Sequence, residues 1–311
     1  MNIVTLCLNP AFDVHCEIPD FAPYHENLAR ITARDAGGKG INISRALLEN
    51  GVDSLAFVVR GEENGAAFEQ ALARDGLSCR TMTVKGRIRE NITCHTPGVP
   101  ETRISFEGFS MDAGQLRTVY EQLEHCVDAN TVVTLSGRMT AGVDAGSAKE
   151  LLRGFARLGA RLAVDSRSFS LTDLREMRPW LIKPNQEEIS AYLGREISDF
   201  EQAAVAAKQL HDDGIGQVMV SLGGQGALLA CDEGVFAASA PRVEVCSTVG
   251  AGDSAIAGFL AAQAAGGGAA ERFRTAVAYG SAACMTQGTR PPRAADIARL
   301  LPTIQVNLLK V

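Results

Sequence analysis

Short apolar runs alternate with segments of helical period along almost the whole chain. Runs at 3–8, 55–59, 131–135, 161–164, 181–183, 217–221 and 227–230 are apolar at nearly every position, as strands are when both sheet faces are covered. Between them, apolar residues spaced three or four apart predict helices over 41–50, 65–75, 113–126, 145–158, 186–193, 201–213 and 254–265. This alternation predicts an α/β fold: βαβ units around a mostly parallel sheet sandwiched by helices. Two stretches, 11–35 and 85–109, break the rhythm. They alternate polar and apolar residues, as in Val14-His15-Cys16-Glu17-Ile18 and Asn91-Ile92-Thr93-Cys94-His95, and predict a small inserted sheet. A sheet with one apolar face needs a cover, either a substrate beneath it, a second subunit, or both. No internal repeat, low-complexity tract or linker is present, and Gly266-Gly267-Gly268 reads as a helix-ending loop.

A chain of 311 residues with 46% hydrophobic content can bury a large core as one α/β domain. Aromatic residues make up only 5%, so close Ala/Gly packing of helices on a sheet is favoured over aromatic stacking surfaces. The net charge of −6 argues against a nucleic-acid partner, whose footprint is basic. It also means that an anionic substrate must be met by local Lys and Arg residues. The eight cysteines are scattered singly, with no C-x-x-C pair, and read as reduced thiols rather than disulfides or zinc ligands. No basic-then-apolar leader and no window of about 18 apolar residues is seen, so a cytoplasmic protein without a membrane partner is expected.

The strongest local signal is Thr248-Val249-Gly250-Ala251-Gly252-Asp253, followed at once by an apolar helical pattern. A strand-like segment at 242–246 runs into the glycines. Consecutive N–H groups at a helix start are orphan donors backed by the positive end of the dipole, so they attract anions. A carboxylate placed there stays ionised and can accept a hydroxyl proton while the N–H groups of Gly250, Ala251 and Gly252 hold a phosphoryl group. Asp253 could equally be a helix cap. Gly250-x-Gly252-x-x-Ala255 with Glu271 also fits a dinucleotide fingerprint, although it comes late in the chain and its Asp would face a pyrophosphate.

Four weaker features accompany it. Gly37-Gly38-Lys39-Gly40-Ile41-Asn42 opens the first long helix: the glycines permit close approach, Lys39 offers a charge for a phosphate, and Asn42 can bond hydroxyls. Lys183-Pro184-Asn185 precedes a helix in which Asn185 and Glu188 share one face, as a capping box or as a water-mediated Mg²⁺ site. Ser221-Leu222-Gly223-Gly224-Gln225-Gly226 is either a nucleotide-approaching turn or a plain hairpin turn. Asn9 and Asp13 follow the first strand, and Arg89 and Asn91 lie in the second insertion, where Arg can clamp a phosphate. Asn9, Asp13, Arg89 and Asn91 are each equally well read as solvated polar residues, and the Lys39 segment as a Gly-rich helix start with a solvated lysine.

In this order and spacing the pieces resemble the ribokinase-like carbohydrate kinases of the PfkB family, in the branch of 1-phosphofructokinase, tagatose-6-phosphate kinase and the minor 6-phosphofructokinase. The likeness spans Leu8 to Arg290 through Asn9-Pro10-Ala11-Phe12-Asp13, the Gly38-Lys39 segment, Lys183-Pro184-Asn185 with Glu188, Ser221 to Gly226, Ser247 to Ser254, and Gln287-Gly288-Thr289-Arg290. It implies one ribokinase-like kinase domain over 1–311 with a small β lid from the two insertions, through which protomers often clasp as a homodimer. It implies that Asp13, Gly38, Lys39, Asn42 and Arg89 hold a sugar phosphate. Lys183, Asn185 and Glu188 would serve phosphates and Mg²⁺, with Asn185 and Glu188 holding the metal. Ser221, Gly223, Gly226, Ala283 and Gly288 would line ATP, with Gly250 to Gly252 as anion hole and Asp253 as base. A monovalent cation such as K⁺ would sit near Ser247–Val249 and Ala283–Gly288. Where the branch reads Ser-Gly-Ser-Leu-Pro-x-Gly, this chain has Ser136-Gly137-Arg138-Met139-Thr140-Ala141-Gly142, so Arg138 is either an added phosphate clamp or an obstruction.

The expected activity is therefore ATP-dependent phosphorylation of fructose 1-phosphate, fructose 6-phosphate or tagatose 6-phosphate at a primary hydroxyl. The rival readings are a kinase for an unphosphorylated sugar or nucleoside, which would leave Lys39 and Arg89 as unpaired cations, and a catalytically silent sugar- or nucleotide-binding regulator. A dinucleotide-dependent dehydrogenase is more distant.

Overall fold

The computed structural model describes residues 1–311. In chain order its strands are β1 (Asn2–Cys7), β2 (Ala11–Glu17), β3 (Arg30–Gly37), β4 (Leu55–Gly61), β5 (Cys79–Val84), β6 (Arg89–Thr96), β7 (Val99–Ser105), β8 (Thr131–Ser136), β9 (Arg161–Asp165), β10 (Leu181–Ile182), β11 (Val218–Ser221), β12 (Ala227–Cys231), β13 (Gly234–Ala238) and β14 (Asn307–Leu309). Its α-helices are α1 (Lys39–Glu49), α2 (Gly65–Arg74), α3 (Ala113–Leu123), α4 (Ala145–Arg157), α5 (Leu171–Met177), α6 (Gln186–Leu193), α7 (Phe200–Asp212), α8 (Ala251–Ala264), α9 (Ala269–Ala283) and α10 (Ala294–Leu300). None of them is long and apolar enough to cross a membrane.

The large sheet has ten strands in the order β14-β13-β12-β11-β10-β9-β8-β1-β4-β5. From β5 across to β11 every neighbour is parallel; β12, β13 and β14 extend the sheet as antiparallel strands. Strand β1 lies between β4 and β8, so the connections leave it in opposite directions. At such a switch point the carboxyl ends of the strands open a crevice, the place where α/β sheets bind ligands. Asn9, Gly137, Asp165, Lys183 and Ser221 all sit at or just beyond those ends.

One apolar layer, including Ile43, Leu47, Phe259, Phe273 and Ile297, packs α1, α8, α9 and α10 on one face of the sheet. The other, including Leu116, Phe155, Leu174 and Leu210, lies beneath α3, α4, α5 and α7. Helix α8 is apolar on nearly every side because it is enclosed by α1 and α9 as well as by the sheet. Burial on this scale fixes the position of its first turn, which carries Asp253.

A separate four-stranded sheet has the order β3-β2-β6-β7. Its central pair β2/β6 is parallel, and the register places Asp13 beside Asn91 and His15 beside Thr93. Strand β7 is exposed along its whole length. The expected mostly parallel α/β layers and small extra sheet are thus both present.

Two local expectations change. Residues 242–246 form no strand, because β14 already occupies the free edge of β13. Instead the Cys246 and Ser247 N–H groups donate to the Cys284 carbonyl, at 2.8 and 3.2 Å, tying this loop to the end of α9. Helix α8 begins at Ala251 rather than at 254, which brings Asp253 inside its first turn. The sequence pattern also missed β5, β13, β14, α5, α9 and α10.

Candidate active site

Asp253 is not a helix cap. Gly250 occupies the N-cap position of α8 in a left-handed conformation, and no side chain caps the helix. Of the three N–H groups expected to form the anion hole, those of Gly250 and Gly252 find no acceptor within the protein, but that of Ala251 donates to the Thr248 carbonyl at 3.4 Å. The Asp253 N–H is free in its place, so an anion-seeking helix start faces the cleft. The Asp253 carboxylate is buried and accepts from Asn42 Nδ2 at 2.9 Å. Burial pushes its pKa up to about 6, against the opposing pull of Lys39, Asn42 and Lys183. The result is a carboxylate whose proton affinity suits it to take a proton near neutral pH. Asn42 is itself buried, and its Oδ1 has no partner. It therefore holds Asp253 with one end and can accept from a ligand with the other.

Gly38, which precedes α1, has φ 133°, and a Cβ there would come within 2.5 Å of Cys7 Sγ. Only glycine permits that approach, which seats the start of α1 against β1 and places Lys39 in the cleft. Lys39 is not a free cation: its Nζ donates to Asp165 Oδ2 at 2.8 Å. The other oxygen, Asp165 Oδ1, lies 3.5 Å from Lys183 Nζ. Burial alone would raise the Asp165 pKa, but the two lysines bring it below the ordinary carboxylate value. Lys39, in turn, is destabilised as a cation by burial yet ends up above its usual value through Asp165 and Asp253. Lys183 packs so closely on Gly252 that a Cβ there would sit 2.9 Å from its Nζ.

Above this floor the small sheet presents Asp13, His15, Asn91 and Thr93 to a cavity of about 210 Å3 that also reaches Arg89, Arg103, Val249 and Gly288. Arg89 donates to Asn9 Oδ1 at 3.0 Å and to Asn91 Oδ1 at 2.8 Å, and Asn91 Nδ2 donates to Asp13 Oδ1 at 2.9 Å. Burial raises the Asp13 pKa. Burial also works against the Arg89 charge, and so does Arg138, while Asp13 supports it. Arg138 is exposed, and its carbonyl accepts from Asn9 Nδ2 at 3.3 Å. Asn9 thus joins the two arginines, neither of which has a carboxylate in ion-pair contact.

On the far side of the floor, Asn185 and Glu188 form a complete capping box for α6, each side chain accepting from the other's N–H at 2.8 Å. Glu188 also accepts from Arg167 Nε at 2.7 Å and acts electrostatically on Lys39, so its carboxylate faces the cleft. Ser221 forms an isolated bridge with Asn185, which brings the Gly223–Gly226 turn beside this cap. That turn does close the β11/β12 hairpin, with φ 57° at Gly223 and 114° at Gly226. Ala283 is buried at the end of α9, and Gly288 lies against the His15 ring. Thus Asp253, Asn42, Lys39, Lys183 and Gly252 converge; Asp13, Arg89 and Arg138 make a second cluster; Asn185, Glu188 and Ser221 make a third. Asp165, His15 and Arg103 were not anticipated. A lone Asp ending an apolar strand is the only trace that Asp165 leaves in the sequence.

Comparison with known proteins gives one consistent answer. Residues 17–296 match the pfkB family carbohydrate kinase profile. The chain is 31% identical over 309 residues to 1-phosphofructokinase of Bacillus subtilis, covering 99% of this chain and 100% of that protein. It is 32% identical over 295 residues to ATP-dependent 6-phosphofructokinase isozyme 2 of Escherichia coli, covering 93% and 94%. The crystal structure of phosphofructokinase-2 from E. coli in complex with substrates and products superposes with a TM-score of 0.91 at 29% identity, over 97% of this chain and 99% of that one. The same protein in complex with potassium gives 0.90 at 29% identity, over 97% and 98%. The chain belongs to the pfkB family of carbohydrate kinases, with the ribokinase-like fold.

Proposed function

We propose that this member of the pfkB family transfers the terminal phosphoryl group of ATP to a primary hydroxyl of a hexose phosphate, with Asp253 as general base. The observation that carries the reading is the buried, uncapping Asp253, held by Asn42 at the bare start of α8 with a pKa of about 6. Its carboxylate takes the hydroxyl proton while the sugar oxygen bonds to the γ-phosphorus. The bond from that phosphorus to the β–γ bridging oxygen breaks, and ADP leaves. The free N–H groups of Gly252 and Asp253, with Lys39 and Lys183, meet the charge on the moving phosphoryl group. Arg89, with Arg138 beside it and Asp13 and Asn91 alongside, receives the sugar phosphate. The Ser221–Gly226 turn and Ala283 border the nucleotide, whereas Gly288, expected there too, lines the cavity shared with Asp13, His15 and Arg89.

The donor set suits magnesium. The Glu188 carboxylate keeps spare lone pairs beyond its bonds to Asn185 and Arg167. Asn185 and Glu188 would hold Mg²⁺ through water, where it supplies charge neutralisation to the nucleotide phosphates. The loops at 246–249 and 283–288, joined through the Cys284 carbonyl, are the corresponding candidate for a monovalent cation. The potassium complex of the E. coli relative supports that reading.

The small sheet acts as a lid that excludes water and limits ATP hydrolysis. Its edge segments carry exposed Phe21, Tyr24, Leu28, Ile31, Val99, Ile104 and Phe106, which support a homodimer formed through the lids. Sedimentation of Tyr24→Asp beside wild type tests this, and equal masses would rule it out. The eight unpaired cysteines support a cytoplasmic setting.

A coupled ADP-release assay over fructose 1-phosphate, fructose 6-phosphate, tagatose 6-phosphate, fructose and ribose tests the main reading. Turnover confined to phosphorylated sugars supports it. Turnover confined to neutral sugars favours the non-phosphorylated acceptor, and no turnover with any of them overturns the kinase reading.

A further inference from the structure

We infer that Asp165 is a positioning residue of the phosphoryl-transfer site, because its one carboxylate bridges the ammonium groups of Lys39 and Lys183 beneath Asp253. The inference rests on the kinase reading and adds a residue to it.

Three observations converge on this carboxylate. It ends β9 and is buried to 4% exposure, yet no side chain of its own element pairs with it. Its two oxygens reach lysines from two different elements, Lys39 at the start of α1 and Lys183 just after β10, at 2.8 and 3.5 Å. And Lys183 is pressed against Gly252, so an ammonium group abuts the positive end of α8. A cation is repelled from a helix N-terminus. Lys183 holds that position because Asp165 attracts it from the other side, and the anion site retains two cations and a bare helix start at once.

The arrangement has a consequence for Asp253. The titratable groups that face it are Lys39 from α1, Lys183 after β10, Asp165 from β9 and, farther off, the neutral Cys7 thiol from β1; Glu188 from α6 faces Lys39. Asp165 opposes ionisation of Asp253 directly, and it draws both lysines away from it. Neutralising Asp165 removes a negative neighbour and frees two positive ones, and both changes make Asp253 easier to ionise.

The test compares Asp165→Asn and Asp165→Glu with wild type, measuring kcat, KM and the pH profile of kcat on the same sugar phosphate, because the substrate phosphates titrate in the same range. Asp165→Asn should lower kcat about 10-fold or more, leave KM for the sugar within about 3-fold, and move the acid limb about half a unit or more toward lower pH. Asp165→Glu keeps the negative charge but displaces the lysines, so kcat should fall while the acid limb moves less than in Asp165→Asn. A purely structural role would lower thermal stability and leave the limb unmoved. If Asp165→Asn does not fold, the Glu variant decides: unchanged kcat overturns the inference. An unmoved limb together with a large rise in the Mg²⁺ requirement overturns it too, because the carboxylate then acts through the metal. Wild-type turnover is the internal control. If wild type releases no ADP, the kinase reading fails; if wild type is active and Asp165→Asn matches it, only this inference fails.

Discussion

The floor and the roof of the cleft carry similar numbers of polar groups but hold them differently. On the floor, Asp253, Asp165 and Lys183 are buried, Asp253 held by Asn42 and Asp165 paired with Lys39 and Lys183, with a large apolar core on either side. On the roof, Asp13, Asn91 and Arg89 sit on a four-stranded sheet whose outer strand β7 is wholly exposed. Floor groups cannot move without disturbing the core; roof groups can move with their sheet. The floor therefore fits chemistry that needs fixed geometry, and the roof fits recognition and closure.

The largest effect expected from this contrast is at Asp253. Asp253→Asn keeps the shape of the floor and its bond to Asn42 but removes the base, and should lower kcat by about 10²–10⁴-fold. Stability should move the opposite way. Asp253 has a pKa of about 6 in the folded protein against 3.8 in the unfolded chain. An acid whose folded pKa is raised weakens the folded state once it is ionised, and this penalty grows from pH 3.8 and is complete above about 6. The Asn variant should thus melt higher than wild type at pH 8, with the gain fading toward pH 5. Calorimetry that finds it less stable at pH 8 would contradict a strained base.

The roof should answer more weakly and in a different parameter. Arg89→Ala should raise KM for the sugar phosphate about 10–100-fold, the usual worth of a charged hydrogen bond, with kcat within a few-fold. Loss of kcat with KM unchanged would place Arg89 in the chemistry and erase the distinction between roof and floor. The pH profile probes the same distinction more gently. Wild-type kcat/KM should fall tenfold per unit below about pH 6, where Asp253 takes up its proton in the free enzyme, and that limb should remain in Arg89→Ala on the same sugar phosphate. A limb that shifts with Arg89 would mean that the roof, rather than the base, titrates.

The two regions also differ in how far they could be read from the sequence. The strands β1, β8, β9, β10 and β11 that carry the floor were legible because burial on both faces leaves them apolar throughout. The Gly250–Gly252 turn was legible because a bare helix start requires it. The pairings that define the site were not. Asn42 and Asp253 stand 211 positions apart, and Lys39 and Asp165 stand 126 apart. No local pattern links such residues; the sheet order does. For that reason Lys39 looked like a free cation, and Asp165 did not stand out. The segment at 242–246 misled in the opposite sense, since its composition suits a strand but the edge it needed is taken by 307–309. The alternation on the small sheet identified strands without revealing that the β2/β6 pair would turn His15 toward Gly288.

The smallest effect is expected at Arg138, in the Ser136–Gly142 segment after β8. Its side chain is exposed and has no acidic partner, while its carbonyl is held by Asn9 whatever the side chain is. Arg138→Ser should leave that tie intact and make two opposing changes: a guanidinium near the sugar phosphate is lost, and Arg89 is relieved of a repelling neighbour. The net rise in KM should be about 2–5-fold, well below that of Arg89→Ala. The double variant then sharpens the comparison. If both arginines serve one phosphate, Arg138→Ser should matter more in the Arg89→Ala background, where no compensating relief remains. Strict additivity would mean that the two act on separate groups. A KM that falls in Arg138→Ser alone would make Arg138 an obstruction at the mouth of the cleft instead of a second clamp.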